Sequence, residues 1–525
     1  MKKIIDLISK NKYLIFWILL LNFALIAIVY RVNIRAVDIF YLIPQGKYIL
    51  NNGIYHIDPF SIHSGLHVVV QNYMSSCIFY LIFKLFSWNG FVIYTIICNA
   101  LICYLIYKIC LLISSNNKSL SIIVMVINDI LLYYFLVPRP QLLSYINLLL
   151  VIYLLELYVH KNNKRYLYFI PLISILQINM HASLWIMIFL FMLPYIVDGI
   201  FSKYNIKPII LIFLISLVCG LINPYGLENI TFIFGSFHNK YMTSLIFELY
   251  KTGFNTFWGT IFLIILIITS LIYIIFVNKK VKIRYLCLYL GTMILGLSSL
   301  KGFSNYLLCS IFPFAYYFRN KKFNFDYSKE LISKLCNVFI IVLIIVSSLL
   351  IVLKRNEEQK YVAGNSYSFL LKHYDKDSIR LYSIMEDGGY GMFLGVKSYL
   401  DCRAEYFIKY NNKKYDILKE YSLLQSGKID INEFLNKYKF THLLLNGGDI
   451  MFKLSEIEGY KLIYIDKEYE YKLYVREDLI KDDTPEIKEL YIRIWYIMYL
   501  IYTFLIKNVK KLQLCDIILI RKEDV

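Results

Sequence analysis

The sequence predicts a polytopic α-helical membrane protein with a small α/β domain near its C-terminus, and three observations predict it. Of the 525 residues, 58% are hydrophobic and only 18% charged, and the mean hydropathy is +0.56, a balance that soluble domains do not have. Apolar runs of about 18 residues, the length that crosses a bilayer core, recur through the first 353 positions. After Leu353 the composition turns polar and short β-like runs alternate with helical ones.

Candidate spans are Tyr13–Tyr30, Tyr73–Phe86, Phe91–Ile113, Leu120–Val137, Leu142–Val159, Tyr166–Ile178, Ala182–Tyr195, Pro208–Ile222, Phe257–Val277, Tyr285–Leu300, Phe303–Phe318 and Leu335–Leu353. With a last run at Leu490–Ile506 this makes about 12–13 spans. The N-terminus reads as a retained first span with its lysines inside, since no small-residue cleavage site follows it. The net charge of +19 sits in basic knots between apolar runs: His160 to Arg165, Lys203 to Lys207, Asn278 to Arg284, and Arg319 to Lys322. Such knots mark cytoplasmic loops and argue against a nucleic-acid partner.

Counting spans forward from the N-terminus and backward from these knots gives answers that differ by one crossing. Asn128-Asp129 lies mid-run, where an ionisable group is costly, so the expectation is a segment broken into Leu120–Ile127 and Ile130–Val137 that re-enters on the outer face. The loop 32–71, the loop Asn223 to Asn255 and the Leu300-Lys301-Gly302 turn then lie outside.

Residues 1–353 form the multi-span module, 354–483 the extracytoplasmic α/β domain, and 484–525 a final span or interfacial helix with a basic tail. Strands are expected at Ile379–Ile384, His442–Leu445, Lys461–Ile465 and Tyr471–Val475, and helices at Tyr415–Gln425 and Ile431–Tyr438. Asp387-Gly388-Gly389 and Asn446-Gly447-Gly448 read as turns. Most of the ten cysteines lie within or beside apolar runs as small hydrophobes. Cys402 and Cys515 stand alone, so neither a disulfide framework nor a zinc site is expected.

Chemistry-bearing residues collect on the predicted outer side. Asp38 follows the first span and Asp58 opens the Asp58-Pro59-Phe60-Ser61 stretch; between them Ile39 to Leu50 reads as an amphipathic helix lying along the interface. A carboxylate there can deprotonate an acceptor hydroxyl or hold a divalent metal, and Asp38 reads equally as a helix cap, Asp58 as a turn former. Arg139, held between two prolines, and Lys301, in a tight turn, are fixed cations suited to a phosphate group, with Asn305 beside them. Taken singly, each cation also reads as a snorkelling interfacial charge. His181, Asn179, Gln141 and Glu248 line the same side as cleft or acceptor contacts, with a structural imidazole as the other reading of His181. Asp401-Cys402-Arg403 and Glu405 read as a local ion pair and turn.

The order of these motifs resembles a known family. Asp38 after the first span, Gly53-x4-Asp58-Pro59-Phe60-Ser61, Arg139-Pro140-Gln141, Asn179-x-His181-Ala182-Ser183 and Asn223-Pro224-Tyr225-Gly226 look like bacterial glycosyltransferases of the GT-C superfold. Those enzymes use polyprenyl-phosphate sugars and are related to protein mannosyltransferases and lipid A aminoarabinose transferases. Gly388-Gly389-Tyr390 and Asp401-x-Arg403-x-Glu405-Tyr406 are similar to the C-terminal region of an uncharacterised branch of that group. The resemblance spans roughly Tyr13 to Arg476.

It implies an enzyme of the cell membrane that moves a sugar, with inversion, from a polyprenyl-phosphate donor to a polysaccharide, glycolipid or protein acceptor. The first-loop aspartate, here Asp38, would be essential. Where better-known members carry a second acidic residue, this chain has Arg139-Pro140-Gln141, which leaves metal use open. Two other readings remain at this stage: a transporter or polymerase of lipid-linked saccharides, for which only Asp129 sits at the expected membrane depth, and a non-catalytic membrane scaffold.

Overall fold

The computed structural model describes residues 11–29, 37–202, 204–237, 239–275, 282–321, 338–346, 361–446 and 457–480. The expected turn at Gly447-Gly448 and the expected helix at Leu490–Ile506 lie outside the described residues. Five helical segments are long and apolar enough to cross a bilayer: Asn89–Ile113, Lys118–Phe135, Gln141–Lys161, Ala182–Ser202 and Phe257–Ile275. Shorter apolar helices cover Lys12–Ile26, Tyr73–Phe86, Lys207–Cys219 and Ile283–Ser298.

In chain order the helices are α1 (Lys12–Val29), α2 (Asp38–Asn52), α3 (Tyr73–Phe86), α4 (Asn89–Ile113), α5 (Lys118–Leu132), α6 (Gln141–Lys161), α7 (Ile170–Met180), α8 (Ile186–Ser202) and α9 (Lys207–Cys219). The loop after α9 folds into α10 (Leu227–Phe237) and α11 (Lys240–Leu245), and the bundle continues with α12 (Phe257–Ile275), α13 (Ile283–Ser298), α14 (Phe303–Cys309) and α15 (Phe312–Tyr317). Of the expected span Leu335–Leu353, positions 338–346 are described and helical.

The two ends of the bundle can be told apart by what ties them. At one end the Tyr94 hydroxyl, near the start of α4, donates to the carbonyl of Arg139, 2.9 Å away, just beyond α5. At the other, the Asn117 side chain, between α4 and α5, donates to the carbonyls of Arg319 and Lys321 after α15, and the Tyr158 hydroxyl donates to Asn205. The described residues of the knots at Asn205 and Arg319 thus lie at the end opposite Arg139.

The broken segment expected at Asn128-Asp129 does not form: α5 runs through both residues without interruption. Both side chains reach partners on neighbouring helices, although the Asn128 side-chain oxygen has none among the described residues. The Asn128 amide donates to the Leu307 carbonyl at 2.7 Å and the Cys103 thiol to Asp129 Oδ1 at 3.1 Å.

The helix α3, expected as a span, makes its contacts at both ends with the Arg139 side of the molecule. Near its start the Ser75 hydroxyl donates to the Met180 carbonyl, and the neighbouring Gln71 carbonyl accepts from Ala182 N, both at the Arg139 end. Near its finish Phe83 and Trp88 pack on Phe393 of the C-terminal domain, ring centroids 5.7 and 5.6 Å apart. One end of α3 is thus tied to the end of α7 and the other to the C-terminal domain. At 1.5 Å per residue its 14 residues reach only about 21 Å, short of a bilayer core.

It forms a tight antiparallel hairpin with α2, where Gly46 is required because a Cβ there would stand 2.0 Å from the Ser76 carbonyl oxygen. The amphipathic helix expected over Ile39 to Leu50 is α2. Leu81, Leu85 and Phe86 of α3 remain exposed, an apolar edge level with the bundle.

The C-terminal domain is a five-stranded mixed sheet in the order β2-β1-β3-β5-β4. Its strands are β1 (Arg380–Tyr382), β2 (Lys397–Ser398), β3 (His442–Leu445), β4 (Tyr460–Asp466) and β5 (Tyr471–Arg476). β1 pairs in parallel with β2 and β3, while β5 is antiparallel to both β3 and β4. β3 is buried along its whole length, as a central strand must be, and β5 alternates. Helices cover the faces: α16 (Gly364–His373), α17 (Met385–Leu394), α18 (Lys409–Asn412), α19 (Ile417–Gln425) and α20 (Ile431–Tyr438).

Asp387-Gly388-Gly389, read as a turn, lies inside α17 instead. A Cβ at Gly388 would meet the Leu400 carbonyl oxygen at 1.8 Å, and one at Gly389 the Cys402 sulfur at 3.0 Å. The glycines serve close approach.

One core cluster of this domain also contains Tyr55, Leu66, Val68, Val69 and Val70 of the first loop, and Tyr225 and Phe232 of the loop around α10. The sequence boundary at 353/354 is thus not a packing boundary: the first loop is part of the C-terminal domain's core.

If α3 lies along the surface while α5 crosses, cysteines introduced at the exposed positions Asn52 and Ser87 react with an impermeant maleimide from one side of the membrane, and a cysteine at Ser115 reacts from the other. Labelling of Ser87→Cys and Ser115→Cys from the same side would contradict this arrangement.

Candidate active site

Asp38, at the first position of α2, lies 3.2 Å through Oδ2 from Arg139 Nε, an ion-pair contact. Pro138 and Pro140 restrict the backbone on both sides of Arg139, and Tyr94 holds its carbonyl. Arg139 Nη1 makes a short ion pair with Glu248 Oε1. Its Nη2 has no hydrogen-bond partner among the described residues. All three side chains are partly open to solvent, at 30, 19 and 33% exposure for Asp38, Arg139 and Glu248.

Glu248 is delivered by a single 3-10 turn, Phe247–Leu249. That turn is strapped to Lys301: Lys301 N donates to the Glu248 carbonyl at 2.8 Å and Leu300 N to the Tyr250 carbonyl at 2.9 Å. Burial works to raise the Glu248 pKa, but the charges of Arg139 and Lys301 win and hold it below the usual carboxylate range. The Lys301 ammonium acts on Glu248, Glu405 and the His181 ring together, and no ion-pair partner within contact distance is found for it among the described residues.

Two residues that sequence reasoning did not place here join the cluster. Glu405 sits on the 3-10 turn Ala404–Phe407 of the C-terminal domain; burial raises its pKa against the opposing pull of Lys301 and Arg403. Tyr41, one turn along α2 from Asp38, accepts a hydrogen bond from Asn72 at 3.3 Å. Its phenol feels both Asp38 and Glu405, which together with burial drive its pKa up. Glu405 stands on the turn expected of it, and from there its carboxylate feels the charge of Lys301.

The remaining expected residues divide in two. His181 Nδ1 lies 3.1 Å from Ser144 Oγ, the Gln141 amide donates to Ser304 Oγ at 3.3 Å, and the Asn179 amide donates to the carbonyls of Ile175 and Ile222. These contacts tie helix ends together beneath the charged cluster. Asn305, one turn beyond Lys301 on α14, is buried and its side-chain oxygen has no hydrogen-bond partner among the described residues.

Asp58 is placed elsewhere. It is fully buried, accepts from Ser61 N at 3.0 Å and Phe60 N at 3.4 Å, and takes Arg403 Nη1 at 2.8 Å. Arg403 also binds Asp401 through Nε and Nη2, at 2.9 and 2.7 Å. The turn-former reading of Asp58 describes its geometry, and the local pair of Arg403 with Asp401 forms as expected. The contact across the chain could not be read from spacing. Asp58 turns its carboxylate to Arg403, so in this arrangement it holds the loop on the domain and is not presented to solvent.

For a divalent metal, the donor set does not fit. Among the described residues no three His, Cys, Asp or Glu side chains group to hold an ion, and the carboxylates nearest Asp38 share a guanidinium.

Composition and fold together define a polytopic helical membrane protein with a small α/β domain. No protein-family model matches the chain, and no curated protein does. Among solved structures, the Archaeoglobus fulgidus oligosaccharyltransferase in its apo form superposes with a TM-score of 0.48 at 9% identity, over 89% of this chain and 74% of that one. The same enzyme tethered by a disulfide to an acceptor peptide with the NVT sequon gives 0.45 at 10% identity, over 85% and 70%.

Removing one partner of a buried ion pair strands the other charge, at a cost of about 3–5 kcal/mol. Arg403→Ala is therefore expected to lower the melting temperature in lipid and to open the 53–70 loop to protease. Burial raises the Asp58 pKa, but Arg403 and Ser61 more than offset it, so the folded value is depressed. The pair's contribution is thus complete above about pH 4 and fades as the pH falls through the folded value. Thermal melts against pH check the sign: an acid-side loss in the native chain that is absent in Arg403→Ala.

Proposed function

We propose that the chain is a membrane glycosyltransferase of the GT-C type, acting on the outer face of the cell membrane. Its donor is a polyprenyl-phosphate sugar that enters from the lipid, and its acceptor a hydroxyl of a cell-envelope polysaccharide, glycolipid or protein. The observation that carries this reading is the meeting of Asp38, Arg139 and Glu248, with Lys301 strapped to the Glu248 turn, in a partly exposed cluster at one end of the helical bundle.

The chemistry follows from those groups. The acceptor oxygen bonds to the anomeric carbon on the face opposite the phosphate, the bond from that carbon to the phosphate oxygen breaks, and the configuration inverts. The hydroxyl proton passes to the Asp38 carboxylate, a general base fixed by its guanidinium contact. Polyprenyl phosphate leaves with the bonding electrons, and its growing charge meets Lys301 and the unengaged Nη2 of Arg139. The Asn305 side chain beside Lys301 adds a polar contact for the donor. His181, Asn179 and Gln141 hold the helix ends that form the floor, and the segment from Asn223 to Asn255 covers the acceptor side. No step is routed through a metal.

General-base groups contribute about 10²–10⁴-fold. Asp38→Asn is therefore expected to lower kcat for transfer of labelled sugar from total polyprenyl-phosphate sugars by at least about 100-fold, while membrane insertion and melting stay normal. Purified protein in lipid is the preparation to use. Equal transfer by both forms would remove Asp38 from the mechanism, and no transfer by the native chain would favour the transporter or scaffold readings.

A further inference from the structure

We propose that Arg139 occupies the place of a divalent cation in this site, so that the reaction centre is organised by a guanidinium and binds no metal. The inference rests on the glycosyltransferase reading for its catalytic meaning, although its binding consequence stands apart from turnover.

A metal ion in such a site would have three tasks. It would draw two carboxylates from different loops together, hold the base in one orientation and present positive charge to a phosphate. Arg139 is arranged for all three. Its Nε faces Asp38 Oδ2 at 3.2 Å and its Nη1 pairs with Glu248, two carboxylates 210 positions apart in the chain. A planar guanidinium has five donors in a fixed fork. With two edges turned to carboxylates, Nη2 is left to meet an incoming phosphate oxygen.

The arrangement is also hard to undo. Prolines on both sides restrict the Arg139 backbone and the Tyr94 hydroxyl grips its carbonyl at 2.9 Å, while its pairing with Glu248 holds the guanidinium at the carboxylates. A divalent cation seeking Asp38 Oδ2 and Glu248 Oε1 would have to approach a positive charge hydrogen-bonded to Glu248 and 3.2 Å from Asp38, with the Lys301 ammonium also acting on Glu248.

Mn²⁺ is the probe, titrated to about 1 mM, the range of weak oxygen-ligand sites, into the full-length protein in lipid nanodiscs after dialysis against chelator. Bound ion is read by electron paramagnetic resonance. The native chain is expected to bind no Mn²⁺ that depends on Asp38, and chelator to leave transfer unchanged. Arg139→Ala vacates the place and is expected to acquire one Mn²⁺, lost again in the Arg139→Ala/Glu248→Gln double variant. Arg139→Lys, which keeps a charge, should acquire none. Melting curves confirm folding, and Arg139→Gln replaces the alanine variant if that one fails to fold.

One Mn²⁺ bound by the native chain and abolished by Asp38→Asn would overturn the proposal, as would an Arg139→Ala protein that binds none. Should the native chain transfer no sugar yet titrate as expected, the glycosyltransferase reading fails and the guanidinium-for-metal assignment stands. Transfer that chelator abolishes and Mn²⁺ restores has the opposite meaning.

Discussion

The arrangement of the site depends on a single buried contact, the ion pair between Asp58 of the first loop and Arg403 of the C-terminal domain. Arg403 is 1% exposed and Asp58 fully enclosed, so water screens neither charge. The guanidinium is satisfied on three sides: by Asp58, by Asp401, and by the rings of Phe60 and Tyr406 at 5.2 and 4.9 Å from its carbon. Pairs of this kind gain little net stability over an apolar contact, because desolvation offsets the attraction. What such a pair supplies is registry. Around it the Ser61–Ser398 bridge, the Ile62 N to Ser398 carbonyl bond and the 2.8 Å contact of His63 Nε2 with the Tyr399 carbonyl fall into line. Glu405, two residues beyond Arg403, is thereby carried to the neighbourhood of Asp38.

The opposite end of the bundle is fixed by a second buried charge network of different character. Arg284 donates to both oxygens of Glu156 and to Asp198, at 2.9, 3.3 and 2.9 Å, and the hydroxyls of Tyr195 and Tyr285 complete Glu156. It joins α6, α8 and α13 with scarcely any solvent access. By sequence Arg284 belongs to a basic knot expected to be solvated, but it lies in the first turn of α13, facing inward. One charge network is closed and saturated; the other, around Arg139, keeps ammonium and carboxylate edges open to solvent. That contrast separates a closed structural staple from a charge cluster that solvent reaches.

Local pattern carried much of this architecture, and long-range pairing carried the rest. Strands β3 and β5 and helix α20 lie where period and turn signals put them, because alternation and capping act within a few residues. Crossings such as α4 and α6 are legible from length alone. Tyr73–Phe86 misleads because an apolar stretch of 14 residues says nothing about whether it crosses or lies flat; that depends on Gly46 and Phe393, far off in the chain. Asn128-Asp129 misleads because its partners, Cys103 and Leu307, are on other helices. Asp38, Arg139, Glu248 and Lys301 were visible as outer-side polar residues in an apolar chain. Glu405 was not, because only the pairing of Arg403 with Asp58 brings its turn to the site.

That pairing has a consequence for how the protein comes to exist. Asp58 and Arg403 are 345 residues apart, and chains emerge from the ribosome N-terminus first. The loop that carries Asp58 is therefore made long before its partner, and Val68, Val69 and Val70 must wait for a core that does not yet exist. A shortened chain that inserts all its helices correctly still lacks a packed first loop. Completion of the C-terminal domain is the event that packs the first loop, so a membrane holding half-made copies holds none with that core formed.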